Sequence, residues 1–230
     1  MTKIVILTGA GISAESGLAT FRDSGGLWSG HDLNEVATPQ GFAADPALVH
    51  AFYNTRRRNA AEAIPNAAHA ALARLQAALP DDVLIVTQNV DDLHERAGAR
   101  TVWHMHGQLT HARCAACDHV WDAPMQMAAD DPCPSCAAPA TRPDIVWFGE
   151  FPRHMEEIWD ALRQADLFVA IGTSGSVYPA AAFVQEAARA GADTLELNLE
   201  PSQTARDFAE TRLGPASAVV PAWVAEILGD

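Results

Sequence analysis

The sequence predicts an α/β fold in which a parallel sheet is covered by helices on both faces. Two observations carry that expectation. Short apolar runs at 4–8, 83–87, 167–171 and 194–199 alternate with helical periodicity, and such alternation implies right-handed crossovers and a doubly covered parallel sheet. A glycine-rich turn, Gly9 to Gly17, follows the first run directly, as in Rossmann-like folds where a helix start meets a phosphate. The chain has 230 residues, 49% of them hydrophobic, which is ample core for one large domain or one domain with an insertion.

The elements follow in order. Ile4 to Leu7 reads as a buried parallel strand, and 4–8 leads into a helix from about 14 to 19. From 25 to 63 the β character is lost, and Asp45-Pro46 starts a helix carrying Leu48, Val49, Phe52 and Tyr53. Residues 66–78 form another helix, ended by Pro80-Asp81-Asp82. A strand at 83–87, a short helix closed by Gly98 and a strand at 101–106 come next. Ile145 to Phe148 is short and apolar. Helix 154–164 precedes strand 167–171, helix 179–190 precedes strand 194–199, and a last strand and helix occupy 218–228. Ligands of such sheets bind outside the carboxyl ends of the strands. Gly9 to Gly11, Gln88 to Asp91, His106, Gly172 to Ser174 and Asn198 to Glu200 are therefore expected to converge.

Cys114, Cys117, Cys133 and Cys136, the only cysteines, are spaced C-x2-C-x15-C-x2-C. That spacing suits tetrahedral zinc, and four thiolates leave no open position, so the expected zinc is structural, one per chain. Two disulfides are the alternative, disfavoured in a reducing cytoplasm. Residues 112–140 hold one Arg against four Asp, which speaks against nucleic acid as a ligand of this segment. The whole chain, at net charge −14, speaks against it too, since phosphate neutralisation dominates that affinity. The first run begins at residue 4 and no apolar run reaches 18 residues, so no targeting peptide and no membrane partner are expected, and the expected location is the cytoplasm.

The first turn is G-x-G-x5-G, not the dehydrogenase spacing G-x-G-x-x-G. GAGISAESGLATFR, TQNVDDLHERAG, HMHG, the paired knuckles, VWFGE, GTSGSVYPA and NLEPS occur in that order. Together they resemble the sirtuin family of NAD-dependent protein-lysine deacylases over essentially the whole chain. The chain is most similar to the short bacterial members and their mitochondrial relative that remove acidic acyl groups.

The resemblance implies a set of expectations. Residues 1–30, 62–106 and 145–230 form the Rossmann-like NAD-binding domain, 31–61 a helical insertion of a small domain, and 107–144 its zinc ribbon. Ala10, Gly11, Phe21 and Arg22 line the phosphates and nicotinamide ribose. Gln88, Asn89 and Asp91 hold nicotinamide. Gly172, Thr173, Ser174, Asn198 and Glu200 contact the adenosine half, and Gly9, Glu15, Thr20, Trp28, Val90, Leu199 and Ala216 complete the cofactor-binding set. For Asn198 and Glu200 a polar strand end meeting solvent reads equally well.

His106 and Asn89 are the implied catalytic residues. His104 and His106 share a strand face by period-two counting, so periodicity does not choose between them; the family's His-Gly pattern selects His106. Neutral imidazole near pH 7 suits a proton acceptor. In the family, the acyl-lysine oxygen attacks NAD, nicotinamide leaves, and the acyl group ends on ADP-ribose. Ala37, Tyr53 and Arg56 match positions that mark acidic-acyl members, an arginine and a phenol sharing one helix face to bind a succinyl or malonyl carboxylate; Arg56-Arg57-Arg58 as a solvated basic run is the alternative. Val146 and Phe148 line the lysine tunnel, with a core role open for Val146, and Gly149 and Val177 belong to segments that pair with substrate backbone. The partners are acyl-lysine proteins or peptides, met by a monomer. A mono-ADP-ribosyltransferase and a non-enzymatic zinc-ribbon module are the competing functions.

Overall fold

The computed structural model describes residues 2–20 and 32–230. The chain opens with β1 (Ile4–Thr8), buried throughout, and turns at once into the one-turn helix α1 (Gly11–Ala14). The short helices α2 (Leu33–Val36) and α3 (Pro39–Ala44) lead to α4 (Pro46–Glu62) and α5 (Ala67–Ala78). The Asp45 carboxylate accepts the Leu48 N–H at 2.9 Å, and Pro46 fills a first-turn position that needs no donor. Then come β2 (Val83–Thr87), α6 (Leu93–Arg96), β3 (Val102–His104), β4 (Gly107–Cys114), β5 (Val120–Asp122) and β6 (Thr141–Ile145). The last third alternates as α7 (Met155–Gln164), β7 (Leu167–Ile171), α8 (Phe183–Ala190), β8 (Asp193–Asn198), β9 (Glu210–Leu213) and α9 (Ala216–Leu228).

The main sheet is parallel throughout, in the order β3-β2-β1-β7-β8-β9. Both its faces are covered, so its strands read as continuous apolar runs. Ile4 and Ile6 pack on one side with Leu72, Leu75 and Trp223 of α5 and α9. Val5 and Leu7 pack on the other with Ile158, Leu162 and Phe183 of α7 and α8. Strand order reverses between β1 and β7, and a crevice opens there beyond the carboxyl ends of the strands. A second, antiparallel sheet, β5-β4-β6, packs with α4 around a third core of Val49, Phe52, Tyr53, Leu109, Ile145 and Trp147.

Three expectations are corrected. The first helix spans Gly11–Ala14, not 14–19: it starts directly after the β1 turn, Ser13 lies inside it with its hydroxyl turned toward Asn89 and Asp91, and Gly17 at φ +88° stops any extension. The stretch 218–228 is helical throughout, and the last strand is the earlier β9. β9 is a polar edge strand that carries no apolar run, whereas Val219-Val220 lies in a helix whose Val220 fills the core. The strand expected at 101–106 stops at His104, since Met105 and His106 form a turn closed by Gly107 at φ +79°.

Candidate active site

The floor of the crevice is a seam between two backbones. Gly9 N–H donates to Ile171 O and Gly11 N–H to Gly172 O, both at 2.9 Å. A Cβ on Gly11 would sit 2.7 Å from Gly172 Cα, and one on Gly172, whose φ is +62°, would sit 2.5 Å from the Ile12 nitrogen. Glycine is required here so that the loops after β1 and β7 can touch. Above the seam lies a cleft of about 1420 Å³. Every expected cofactor, substrate and catalytic residue within the described chain lines it. Phe21, Arg22 and Trp28 lie outside the described residues.

The loop after β2 is gripped on all sides. Gln88 N–H donates to Thr8 O at 2.9 Å, and Asn89 N–H to Thr87 Oγ1 at 3.0 Å. Ser13 Oγ accepts from Asn89 Nδ2 at 3.1 Å and donates to Asp91 Oδ2 at 3.1 Å. Leu93 N–H donates to the other Asp91 oxygen at 3.2 Å. Burial pushes the Asp91 carboxyl above its ordinary value, and these hydrogen bonds oppose that shift. Val90 O accepts from Leu109 N–H of β4 at 2.8 Å, which ties this loop to the small sheet.

The two histidines of the turn separate by environment. His104 is buried; its Nδ1 meets Asn89 O at 3.1 Å and its Nε2 meets Glu95 Oε1 at 2.7 Å. His106 lines the cleft, with Nδ1 at 3.0 Å from Gln88 O. A carbonyl only accepts, so Nδ1 carries the hydrogen and Nε2 keeps its lone pair. Burial holds this imidazole below its ordinary pKa, with the Gln88 carbonyl pulling the other way.

At the far end, α4 presents Tyr53 and Arg56 to the cleft, while Ala37 leaves a small wall. The Arg56 guanidinium carbon lies 5.6 Å from the Tyr53 ring centre and 5.9 Å from that of Phe52. Burial lowers Arg56, offset by Tyr53 and Asp91. Arg57 turns away and is buried, and Arg58 is exposed, so the three arginines do not form a solvated run. Val146 N–H donates to His106 O and Phe148 N–H to Ala37 O, both at 2.9 Å, which hangs the segment 146–149 between the two halves of the cleft. Val177 lines the opposite side, after Gly175 at φ +66°.

Toward the opposite end, Asn198 Nδ2 donates to Thr173 O at 2.8 Å, so this side chain braces the loop of Thr173 and Ser174. Leu199 and Glu200 stand exposed on the rim. Both Glu15 oxygens accept from Ser217, in the first turn of α9 beside Ala216, and these bonds hold its carboxyl below the ordinary range. Two residues escaped sequence reasoning. Ser13 organises Asn89 and Asp91, and its only signal was a polar residue between glycines. Trp147 donates to Tyr53, and an apolar neighbour of Phe148 gave no sign of that.

The four cysteine sulfurs lie within 4.8 Å of one another. Cys114 and Cys136 Sγ are 3.7 Å apart, and Cys117 and Cys133 Sγ 3.8 Å. These distances are too long for disulfides, whose S–S length is about 2.05 Å. They match the roughly 3.8 Å edge of a tetrahedron with Zn–S bonds of about 2.3 Å. Ala116 and Ser135 N–H groups donate to Cys114 and Cys133 Sγ, which settles charge on the thiolates a zinc ion would need.

A model of the Sir2 family matches residues 9–179. A Caulobacter vibrioides protein named NAD-dependent protein deacylase is 58% identical over 230 residues, covering 98% of this chain and 97% of its own length. Among solved structures, a Sir2 homolog–NAD complex superposes with a TM-score of 0.91 at 35% identity, over 99% of this chain and 90% of that one. A Sir2 protein with a deacetylated p53 peptide and 3′-O-acetyl-ADP-ribose gives 0.81 at 26% identity, over 99% and 93%.

Proposed function

The chain belongs to the Sir2 family, and from that premise we propose that it is an NAD-dependent protein-lysine deacylase acting on acetyl-, succinyl- and malonyl-lysine. The products are nicotinamide, O-acyl-ADP-ribose and free lysine. The observation that carries this reading is His106: a neutral imidazole, its tautomer set by Gln88 O, facing a cleft that also holds Asn89, Asp91, Tyr53 and Arg56. The NAD and 3′-O-acetyl-ADP-ribose bound in the similar Sir2 structures support it.

NAD, when bound, supplies the electrophilic ribose carbon and the hydroxyl that receives the acyl group. The chain's own residues do the rest. The loops around Gly9–Gly11 and Gly172–Ser174 hold the cofactor's backbone, and Gln88, Asn89 and Asp91 hold nicotinamide. His106 takes a proton at Nε2. Arg56 and Tyr53 bind the acyl carboxylate, where charge-assisted hydrogen bonds favour a planar anion. Zinc on the four cysteines shapes the small sheet and stands apart from the chemistry. We divide the chain into 1–30, 62–106 and 145–230 for the cofactor, with 31–61 and 107–144 as the small domain. We place it in the cytoplasm as a monomer; no helix among the described residues is long and apolar enough to cross a membrane.

The test mixes the protein with NAD and matched acetyl- and succinyl-lysine peptides, following peptide mass and nicotinamide. The expected result is NAD-dependent loss of both acyl groups. His106→Tyr is expected to lower both by roughly 10²-fold or more, and Arg56→Met to cut the succinyl-to-acetyl ratio of kcat/KM by about tenfold or more. Intact peptides with nicotinamide release and ADP-ribose on protein would establish the transferase instead.

A further inference from the structure

Behind Tyr53, the acyl end of the cleft contains a hydrogen-bond chain through Trp147, a residue to which the proposed chemistry gives no task. Trp147 Nε1 donates to the Tyr53 hydroxyl at 3.0 Å, with both residues almost fully buried. The indole is held on several sides. The Arg142 guanidinium carbon lies 3.6 Å from its ring centre, and the Phe42 ring packs at 5.1 Å. The Trp147 backbone N–H donates to Glu150 Oε2 at 2.9 Å, and the same carboxylate takes Arg142 in a fork at 2.7 and 3.0 Å. Groups behind the cleft wall therefore set the direction of the indole N–H.

A phenol oxygen has two acceptor lone pairs and one hydrogen, whereas indole and guanidinium nitrogens only donate. Trp147 occupies one lone pair of Tyr53, and the Arg56 guanidinium, its carbon 5.6 Å from the Tyr53 ring centre, stands beside the same side chain. With one lone pair engaged and the neighbouring guanidinium offering only donors, the hydroxyl hydrogen is directed to an acceptor. A carboxylate at the end of an acyl chain is such an acceptor; the methyl of an acetyl group is not.

We propose that Trp147 is a specificity-determining positioning residue: by occupying a lone pair of Tyr53, it commits the phenol to donate and so favours acyl groups that end in a carboxylate. It touches no reacting atom and acts only through Tyr53. This inference rests on the acidic-acyl reading of Tyr53 and Arg56 given above.

Trp147→Phe keeps an aromatic face for Arg142 and Phe42 and removes the N–H. Trp147→Phe, Tyr53→Phe, Arg56→Met and the Trp147/Tyr53 double variant are assayed with succinyl- and acetyl-lysine peptides of one sequence. Both substrates are read on the same sample, so a partly folded variant cancels from the ratio of kcat/KM. Trp147→Phe is expected to lower the succinyl-to-acetyl ratio by about tenfold, Tyr53→Phe by a similar factor, and the double variant by no more than Tyr53→Phe alone. Equal losses toward both peptides overturn the inference, since Trp147 then only fills space. Multiplied losses in the double variant also overturn it, since the N–H then works without Tyr53. If Arg56→Met and Tyr53→Phe leave the ratio at the wild-type value, the acidic-acyl reading itself falls and takes this inference with it.

Discussion

At the scale of the residue, the role proposed for His106 sets the expected acid side of the activity. Burial lowers its imidazole, and the Gln88 carbonyl only partly offsets this. The form proposed to accept the proton, with Nε2 unprotonated, thus persists below the ordinary histidine value of about 6.5. A profile of kcat/KM against pH is expected to stay level through neutrality and to fall on an acid limb with a midpoint below about 6.5; a midpoint above it contradicts the burial argument. The choice between His104 and His106 was not legible from periodicity, because two residues on one strand face are equivalent only while the strand lasts. It stops at His104, whose two nitrogens are spent on Asn89 and Glu95, and the turn turns His106 toward the cleft. Arg56, Arg57 and Arg58 teach the same lesson. Three identical neighbours on a helix point 100° apart, and only the packing partner decides which one meets the cleft.

At the scale of the element, α4 and the cysteine-bearing sheet behave as one body. Asn54 exchanges two hydrogen bonds with the Met127 backbone, at 2.8 and 3.0 Å. Arg57 donates to Leu109 O at 2.8 Å and to Asn54 Oδ1 at 2.9 Å. Since β4 and the segment after β5 supply these acceptors, disordering the sheet strips α4 of its clamp. Cys133→Ala is expected to abolish zinc binding in metal analysis and to speed amide hydrogen exchange in β4, β5, β6 and α4 before β1 and β2. Structural zinc in small modules is worth about 10 kcal/mol or more of apparent binding energy, so the loss is not local to one knuckle. Unchanged protection in α4 would show that the clamp does not transmit. The knuckles were legible because ligand spacing is local in sequence. The clamp was not, because it joins residues 52 and 73 positions apart through backbone groups, which every residue has.

At the scale of the whole molecule, burial of neutral imidazoles ties stability to pH. His69 is fully buried, and burial lowers its pKa to about 4. His94, packed edge-on against it at 5.0 Å, is lowered as well by burial. A histidine lowered in the folded state binds fewer protons than in the unfolded chain between about pH 4 and about 6.5, so stability is complete above 6.5 and drains away as pH falls to 4. The drop is on the order of 3 kcal/mol for His69. Melting temperature is expected to decline through that window, and His69→Gln to flatten the decline; an equal slope in both proteins refutes the assignment. The parallel sheet around these residues was legible from apolar runs at β1, β2, β7 and β8, whereas β9, an edge strand of Glu210, Thr211, Arg212 and Leu213, offers no such run.

The seam of Gly9, Gly11 and Gly172 has a consequence for how such a protein can diverge. Where two main chains touch, there is no side chain for mutation to vary, and any added methyl group separates the loops. The cradle is therefore nearly inherited as a fixed part, ready-shaped before a ligand arrives. Variation has to work at the margin, on Leu199 and Glu200, whose exposed side chains can change without moving the floor.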